Sequence, residues 1–230
     1  MTAMLASVSN LTEALQVLAA QVDIIDLKQP AAGALGALEL DVIHQIVTAV
    51  KQRCPISATI GDLPTWPDIV APAVKNMAAT QVDFIKIGFF PNGDWPATVQ
   101  SLSSISHSAL IAVLFADCQP NFDILPTLKE AGFKGVMLDT ANKTQGSLLD
   151  VMALSEISRF VSAAKQEQLF CGLAGSLKIK DISRLMPLQP NYLGFRGALC
   201  HLHNRTEALD SLAIKAVKKT LTDASRTITV

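Results

Sequence analysis

Three lysines and two aspartates sit in or just after apolar, strand-like runs. Asp26 and Lys28 fall in residues 22–28 (VDIIDLK), Lys86 in 83–88 (DFIKIG) and Asp139 in 135–140 (GVMLDT), with Lys143 just beyond. A charge inside such a run costs burial energy unless it is paired or faces a water-filled site. Strand parity groups these residues: Ile24, Asp26 and Lys28 share one face, as do Phe84, Lys86 and Gly88, and Met137 and Asp139. At about 3.3 Å per residue, Asp26 and Lys28 stand roughly 7 Å apart along their face. If all three polar parities face one lumen, amines and carboxylates meet there.

Such a group suits imine chemistry. A free lysine has a pKa near 10.4 and is a protonated non-nucleophile at neutral pH. A second ammonium nearby, or partial desolvation, lowers that pKa and frees the amine. Lys28 and Lys86 could stand in that relation, with Asp26 and Asp139 moving protons to and from carbon and oxygen. The competing reading is a set of strand-end salt bridges on a solvated rim, the commoner outcome for any one lysine. The whole set at matching strand ends favours catalysis.

The elements that would position them alternate. Short β-branched runs at 4–8, 22–27, 56–61, 84–89, 110–115, 136–139, 171–174 and 192–196 read as strands. Between them lie helical patterns. Asn10 with Glu13 resembles a capping box, followed by Leu11, Leu15 and Leu18. Apolar stripes follow at Val42, Ile43, Ile46, Val47 and Val50, at Leu154, Ile157, Phe160 and Val161, and at Leu209, Leu212, Ala213 and Val217. About eight β-then-α units with no Pro- or Gly-rich linker predict a single (β/α)8 barrel over residues 1–230, whose strand ends carry the site. A doubly wound open sheet has the same alternation and is the runner-up.

The later strands suggest anion binding. Gly172 to Ser176 (GLAGS) follows the seventh strand, and Gly194-Phe-Arg196-Gly197 the eighth. Barrel loops in these positions often hold phosphate on backbone amides. Gly175, Ser176 and Gly197 are the candidate backbone donors, Arg196 a charged fork and Lys143 a further contact. The alternative is two glycine turns with a structural arginine. The loop after Lys28, QPAAGALG, reads equally as an active-site loop or a connector. Asp62, in SATIGD, is either a polar site group or a helix cap. His44 falls on a predicted helix, His107 near a helix end, and His201 and His203 after the last strand. They lack a supporting acidic cluster, so no metal is expected. No GxGxxG or P-loop is present, and no organic cofactor is expected.

Composition bounds the partners. Half of the 230 residues are hydrophobic, 17% are charged, and net charge is −1. Such a chain can build a large core, and nucleic acid is not an expected partner. The segment MTAMLASVSN lacks the pattern of a signal peptide, and no apolar run is long enough to span a bilayer. Four widely spaced cysteines read as reduced thiols of a cytoplasmic protein. The apolar content leaves room for a homo-oligomeric interface without marking its face.

The segments VDIIDLKQPAAGALGAL, ISATIGDLP, VDFIKIG, VMLDTANK, CGLAGSLK and LGFRGA together resemble the (5-formylfuran-3-yl)methyl phosphate synthase family over most of the chain. The resemblance implies a (β/α)8 barrel that condenses two glyceraldehyde 3-phosphate molecules into a phosphorylated furan aldehyde, with loss of phosphate and water, on the way to methanofuran. It implies Lys28 as the Schiff-base lysine, with Asp26, Lys86, Asp139 and Lys143 around it. Residues 116–125 and the tail GALCHLHNRTEALD depart from the archaeal pattern. The rival expectations are a Schiff-base aldolase for another sugar phosphate, a carboxylate-only isomerase, and a non-catalytic phosphometabolite sensor.

Overall fold

The computed structural model describes residues 2–105 and 109–228, so His107 lies outside the described residues. Eight strands alternate with helices: β1 (Ala3–Val8), β2 (Ile24–Leu27), β3 (Ile56–Thr59), β4 (Phe84–Phe89), β5 (Ala109–Phe115), β6 (Gly135–Asp139), β7 (Phe170–Leu173) and β8 (Tyr192–Phe195). Every neighbouring pair is parallel, and β8 pairs with β1 from Ala3↔Tyr192 to Ala6↔Phe195. That last pairing closes the barrel and excludes the open sheet. The outer layer comprises α1 (Leu11–Ala19), α2 (Leu40–Val50), α3 (Pro67–Ala78), α4 (Trp95–Leu102), α5 (Leu125–Glu130), α6 (Leu148–Val151), α7 (Leu154–Gln166), α8 (Ile179–Leu185) and α9 (Ser211–Ile228). Among the described residues no helix is long and apolar enough to cross a membrane.

Alternation along the strands makes two cores. Met4, Ala6, Val8, Ile25, Leu27, Ile85 and Ile87 point outward and pack beneath the helices. Leu5, Ile24, Ile111, Val113 and Met137 fill the lumen. Phe170 stacks on Phe84 and on Tyr192, with centroids 6.1 and 5.1 Å apart, and these rings close the end where the strands begin. Gly172 makes room for them, since a Cβ there would lie 2.1 Å from Tyr192 Cζ.

The α2 and α7 stripes face the core as expected: Ile43, Ile46 and Val50, and Ile157, Phe160 and Val161, are buried. Two others are rotated. In α1 the buried apolar residues are Ala14 and Val17, and Leu15 is 42% exposed. In α9 they are Ile214, Val217 and Leu221; Leu212 is 74% exposed, and Leu209 precedes the helix in a bridge to Cys200. The capping box at α1 is half formed. Asn10 Oδ1 accepts from Glu13 N–H, but the Glu13 carboxylate accepts from Ser9 and reaches toward β8.

A recurring device sets strand pairs at the lower rim. Gln21, Gln81 and Gln189 adopt left-handed backbone with φ of 56°, 64° and 55°. Each is followed by an apolar residue and then Asp23, Asp83 or Asn191. These side chains each accept a 2.7 Å hydrogen bond from the preceding strand, at Met4 N–H, Ile56 N–H and Cys171 N–H. The pairs β1/β2, β3/β4 and β7/β8 are registered in this way.

The upper mouth is asymmetric. The loop after β2 folds across the β3–β5 side, with Gln29 N–H on Gly36 O at 2.7 Å and Thr59 Oγ1 on the same carbonyl at 3.0 Å. Leu35 and Ala34 are buried there beside Phe115, on which Phe90 packs with a 4.4 Å centroid distance. The mouth therefore opens over β1, β2, β6, β7 and β8, as a cavity of about 590 Å³.

Candidate active site

Asp26 lies mid-strand in β2 with both oxygens occupied. Oδ2 accepts from Ser7 Oγ at 2.8 Å, and Oδ1 accepts from Ser57 Oγ at 2.7 Å and pairs with Lys86 Nζ at 2.6 Å. The register explains the cluster, because Ser7, Asp26 and Ser57 are direct partners across β1, β2 and β3. Burial raises the Asp26 pKa, but Lys86 and Lys28 outweigh it, and the carboxyl lies below its ordinary 3.8. The buried pair thus holds a carboxylate and an ammonium deep in the barrel. Lys86 lies below the cavity, with Met137 Sδ 3.8 Å from its Nζ.

Asp139 ends β6. Its Oδ1 accepts from Thr140 N–H at 2.7 Å and pairs with Lys143 Nζ at 2.5 Å. Its Oδ2 has no hydrogen-bond donor among the described residues, and the side chain lines the cavity. Burial again opposes ionisation, and Lys143 with Lys28 holds the carboxyl below 3.8. The loop carrying Lys143 is fixed from β5: Asp117 accepts from Ala141 N–H at 2.8 Å and Asn142 N–H at 2.7 Å.

Lys28 stands between these pairs. It is 7% exposed and lines the cavity, and its amine makes no ion pair or hydrogen bond with the protein among the described residues. Burial lowers its pKa most, Asp139 opposes this, Lys143 adds to it, and smaller effects follow from Asp26 and Lys86; the result is about 8. Desolvation, rather than the Lys86 charge expected from sequence, is the main cause. The structure thus gathers Asp26, Lys28, Lys86, Asp139 and Lys143 at one end of the lumen, with Lys28 the one amine of the three left without a carboxylate partner.

The phosphate candidates divide. Gly175, Ser176 and Gly197 line the cavity. Gly175 has φ +103° and lies so close to β6 that a Cβ would meet Thr140 Cγ2 at 2.9 Å. The N–H groups of Ser176, Leu177 and Gly197 have no protein acceptor among the described residues. Arg196 also borders the cavity, but all five of its N–H groups are engaged. They reach Glu13 at 2.5 and 3.2 Å, Ser7 O at 3.2 Å, Arg205 O at 2.8 Å and Glu207 O at 2.8 Å. No donor remains for the charged fork expected there.

Asp62 is neither a site group nor a helix cap. It accepts from Ala34 N–H at 2.8 Å and Leu35 N–H at 2.6 Å, and so fixes the loop after Lys28. His44 is exposed on α2, His201 Nδ1 lies 4.0 Å from Asp210, and His203 borders the cavity. Sequence reasoning missed Ser7 and Ser57, although both sit at lumen parity, and it missed Asp117 and Arg205. Six cationic side chains against two carboxylates line the cavity, which suits an anionic ligand.

A family model described as 4-HFC-P synthase matches residues 4–218. A Methylorubrum extorquens protein with the provisional name (5-formylfuran-3-yl)methyl phosphate synthase is 41% identical over 211 residues, covering 92% of this chain and 88% of that protein. A Methanosarcina mazei protein named (5-formylfuran-3-yl)methyl phosphate synthase is 32% identical over 227 residues, covering 93% and 97%. Among solved structures, phosphoribosyl anthranilate isomerase from Thermotoga maritima superposes with a TM-score of 0.72 at 13% identity, covering 97% of this chain and all of that one. A likeness at that identity concerns the barrel alone.

Proposed function

The chain belongs to the 4-HFC-P synthase family and is an enzyme, and on that premise we propose that it condenses two glyceraldehyde 3-phosphate molecules into (5-formylfuran-3-yl)methyl phosphate through a Schiff base on Lys28. The observation that carries the mechanism is the state of Lys28: buried at the cavity floor, without a carboxylate partner, and lowered to about 8. At pH 7 roughly a tenth of such an amine is neutral, against less than about one in a thousand for an unperturbed lysine. Lys86 and Lys143 are each tied to a carboxylate and are poor nucleophiles by comparison.

The neutral amine attacks the aldehyde carbon of one triose phosphate. Loss of water leaves a protonated imine, an electron sink adjacent to C2. Asp139 removes the C2 proton through its open oxygen, and the enamine adds to the aldehyde of the second molecule. Asp26 is unsuited to that step because Ser7, Ser57 and Lys86 occupy it. It holds the Lys86 charge beneath the reacting centre. Phosphate elimination, ring closure and dehydration give the furan, and hydrolysis of the imine returns Lys28. The free N–H groups of Ser176 and Gly197, with Lys143, are suited to the substrate phosphates. The product is read as a precursor of methanofuran.

Incubation with glyceraldehyde 3-phosphate, with and without borohydride, tests this reading by intact mass and ultraviolet absorbance. A reduced adduct on Lys28 and a furan-aldehyde absorbance are expected. An adduct without furan would move the reaction to another Schiff-base aldolase. Near-normal turnover by Lys28→Ala would refute the lysine mechanism.

A further inference from the structure

We infer that Arg205 recognises the phosphate monoester of the substrate, and that Arg196 is the buried strut that holds Arg205 in place. The inference rests on the reading of the cavity as a site for a phosphorylated aldehyde. Two arginines border that cavity. A guanidinium carries five N–H groups in a rigid fork. Arg196 spends all of its own on Glu13 and three backbone carbonyls. Arg205 spends one, on Gly33 O at 2.8 Å, and has no other protein acceptor among the described residues. It is half-buried and lines the cavity, so its charge sits partly withdrawn from bulk water.

The surrounding backbone completes an oxyanion site. The chain doubles back after β8, and a Cβ built on Gly197 would lie 3.9 Å from Arg205 Cβ. The Gly197 N–H has no protein acceptor among the described residues. A guanidinium with unspent donors and a free backbone N–H on the lining of one cavity match the multidentate demands of a phosphate. Arg196 makes this geometry possible, because its Nε donates to Arg205 O and another of its nitrogens to Glu207 O, each at 2.8 Å. Glu13 grips the same guanidinium from α1 and keeps it from turning toward a ligand. Lys178 and Lys180, on the β7 side of the cavity, are exposed and screened by water. The Gly33 contact also joins Arg205 to the loop that follows Lys28, so the phosphate is placed relative to the reacting amine.

The test compares the full-length protein with Arg205→Ala, Arg205→Lys and Arg196→Lys. Inorganic phosphate binding is measured by calorimetry. Borohydride trapping at Lys28 is measured with glyceraldehyde 3-phosphate and with unphosphorylated glyceraldehyde. We expect Arg205→Ala to weaken phosphate binding by about tenfold or more and to lower the ratio of the two trapping rates by a similar factor. Arg205→Lys keeps the charge without the fork and falls between. Arg196→Lys lowers the ratio as well, and adding it to Arg205→Ala lowers it no further, because Arg196 acts through Arg205. Phosphate affinity within about twofold of the parent, or an equal loss of trapping for both aldehydes, would overturn the assignment. If the parent protein traps neither aldehyde, the imine reading fails, while the phosphate calorimetry still decides the role of Arg205.

Discussion

Lys28 is placed where its charge is disfavoured, and its substitution separates function from stability. A fall in pKa from 10.5 to about 8 corresponds to about 3 kcal/mol of strain on the protonated form. Lys28→Met is therefore expected to abolish the trappable adduct while stabilising the fold at pH 7 by up to about 3 kcal/mol, read from urea unfolding. Asp139→Asn and Asp26→Asn should fail differently. The first keeps the imine but slows C2–H exchange into deuterated solvent by about 10²–10⁴-fold. The second leaves Lys86 charged and uncompensated in the lumen, and is expected to cost about 3–5 kcal/mol of stability. The lumen parity of Asp26, Lys28, Lys86 and Asp139 was legible in the sequence because a period of two fixes which side chains share a face. The structural role of Arg196 stood there only as the alternative to a phosphate fork, without its partner. Its partner Glu13 lies 183 residues earlier on another element, and no local pattern announces a pair of that span.

The elements that hold the site are tied by single carboxylates. Asp62 fixes the loop after β2 and Asp117 the loop after β6, each through two adjacent backbone N–H groups. Asp117→Ala frees the turn that carries Lys143 and should reduce turnover without removing the Lys28 adduct, as mass spectrometry and steady-state rates would report. A comparable change on the exposed face of α7, away from the mouth, should leave both turnover and the adduct unchanged. The strands themselves could be read from β-branched runs, but their ends less well: β2 starts at Ile24 rather than 22, and β3 stops at Thr59 rather than 61. In each case an apolar residue belongs to a loop that packs on the core, which hydrophobicity cannot distinguish from a strand. The repeated Gln-Val-Asp at 21–23 and 81–83 stood in plain view. Its meaning needs the knowledge that Asp23 and Asp83 reach back to the preceding strand. The α1 and α9 stripes were rotated for a related reason. Their leucines satisfy helical spacing, while the face that packs is set by where each loop delivers the helix.

Across the whole molecule these charges set pH dependences of the same sign in two separate windows. The folded pKa of Lys28 lies below its unfolded value, so the folded state holds fewer protons between about 8 and 10.5 and gains stability as pH rises through that window. Asp26 and Asp139 are depressed below 3.8, so their contribution is present above that value and is lost as pH falls through their folded pKa values. The rate of borohydride-trapped imine formation should climb with a midpoint near 8, and the extra stability of Lys28→Met should fade over 8 to 10.5. The seam where β8 meets β1 adds a consequence in time. Arg196 reaches Ser7 O and Glu13 across 189 and 183 residues, so the wall of the cavity exists only after the first and last strands have met. Contacts of such long separation form late in a folding chain. On the proposed imine chemistry, a nascent chain is expected to form no Lys28 adduct until its final strand has paired with the first, and timed borohydride trapping during refolding would serve as a clock for ring closure.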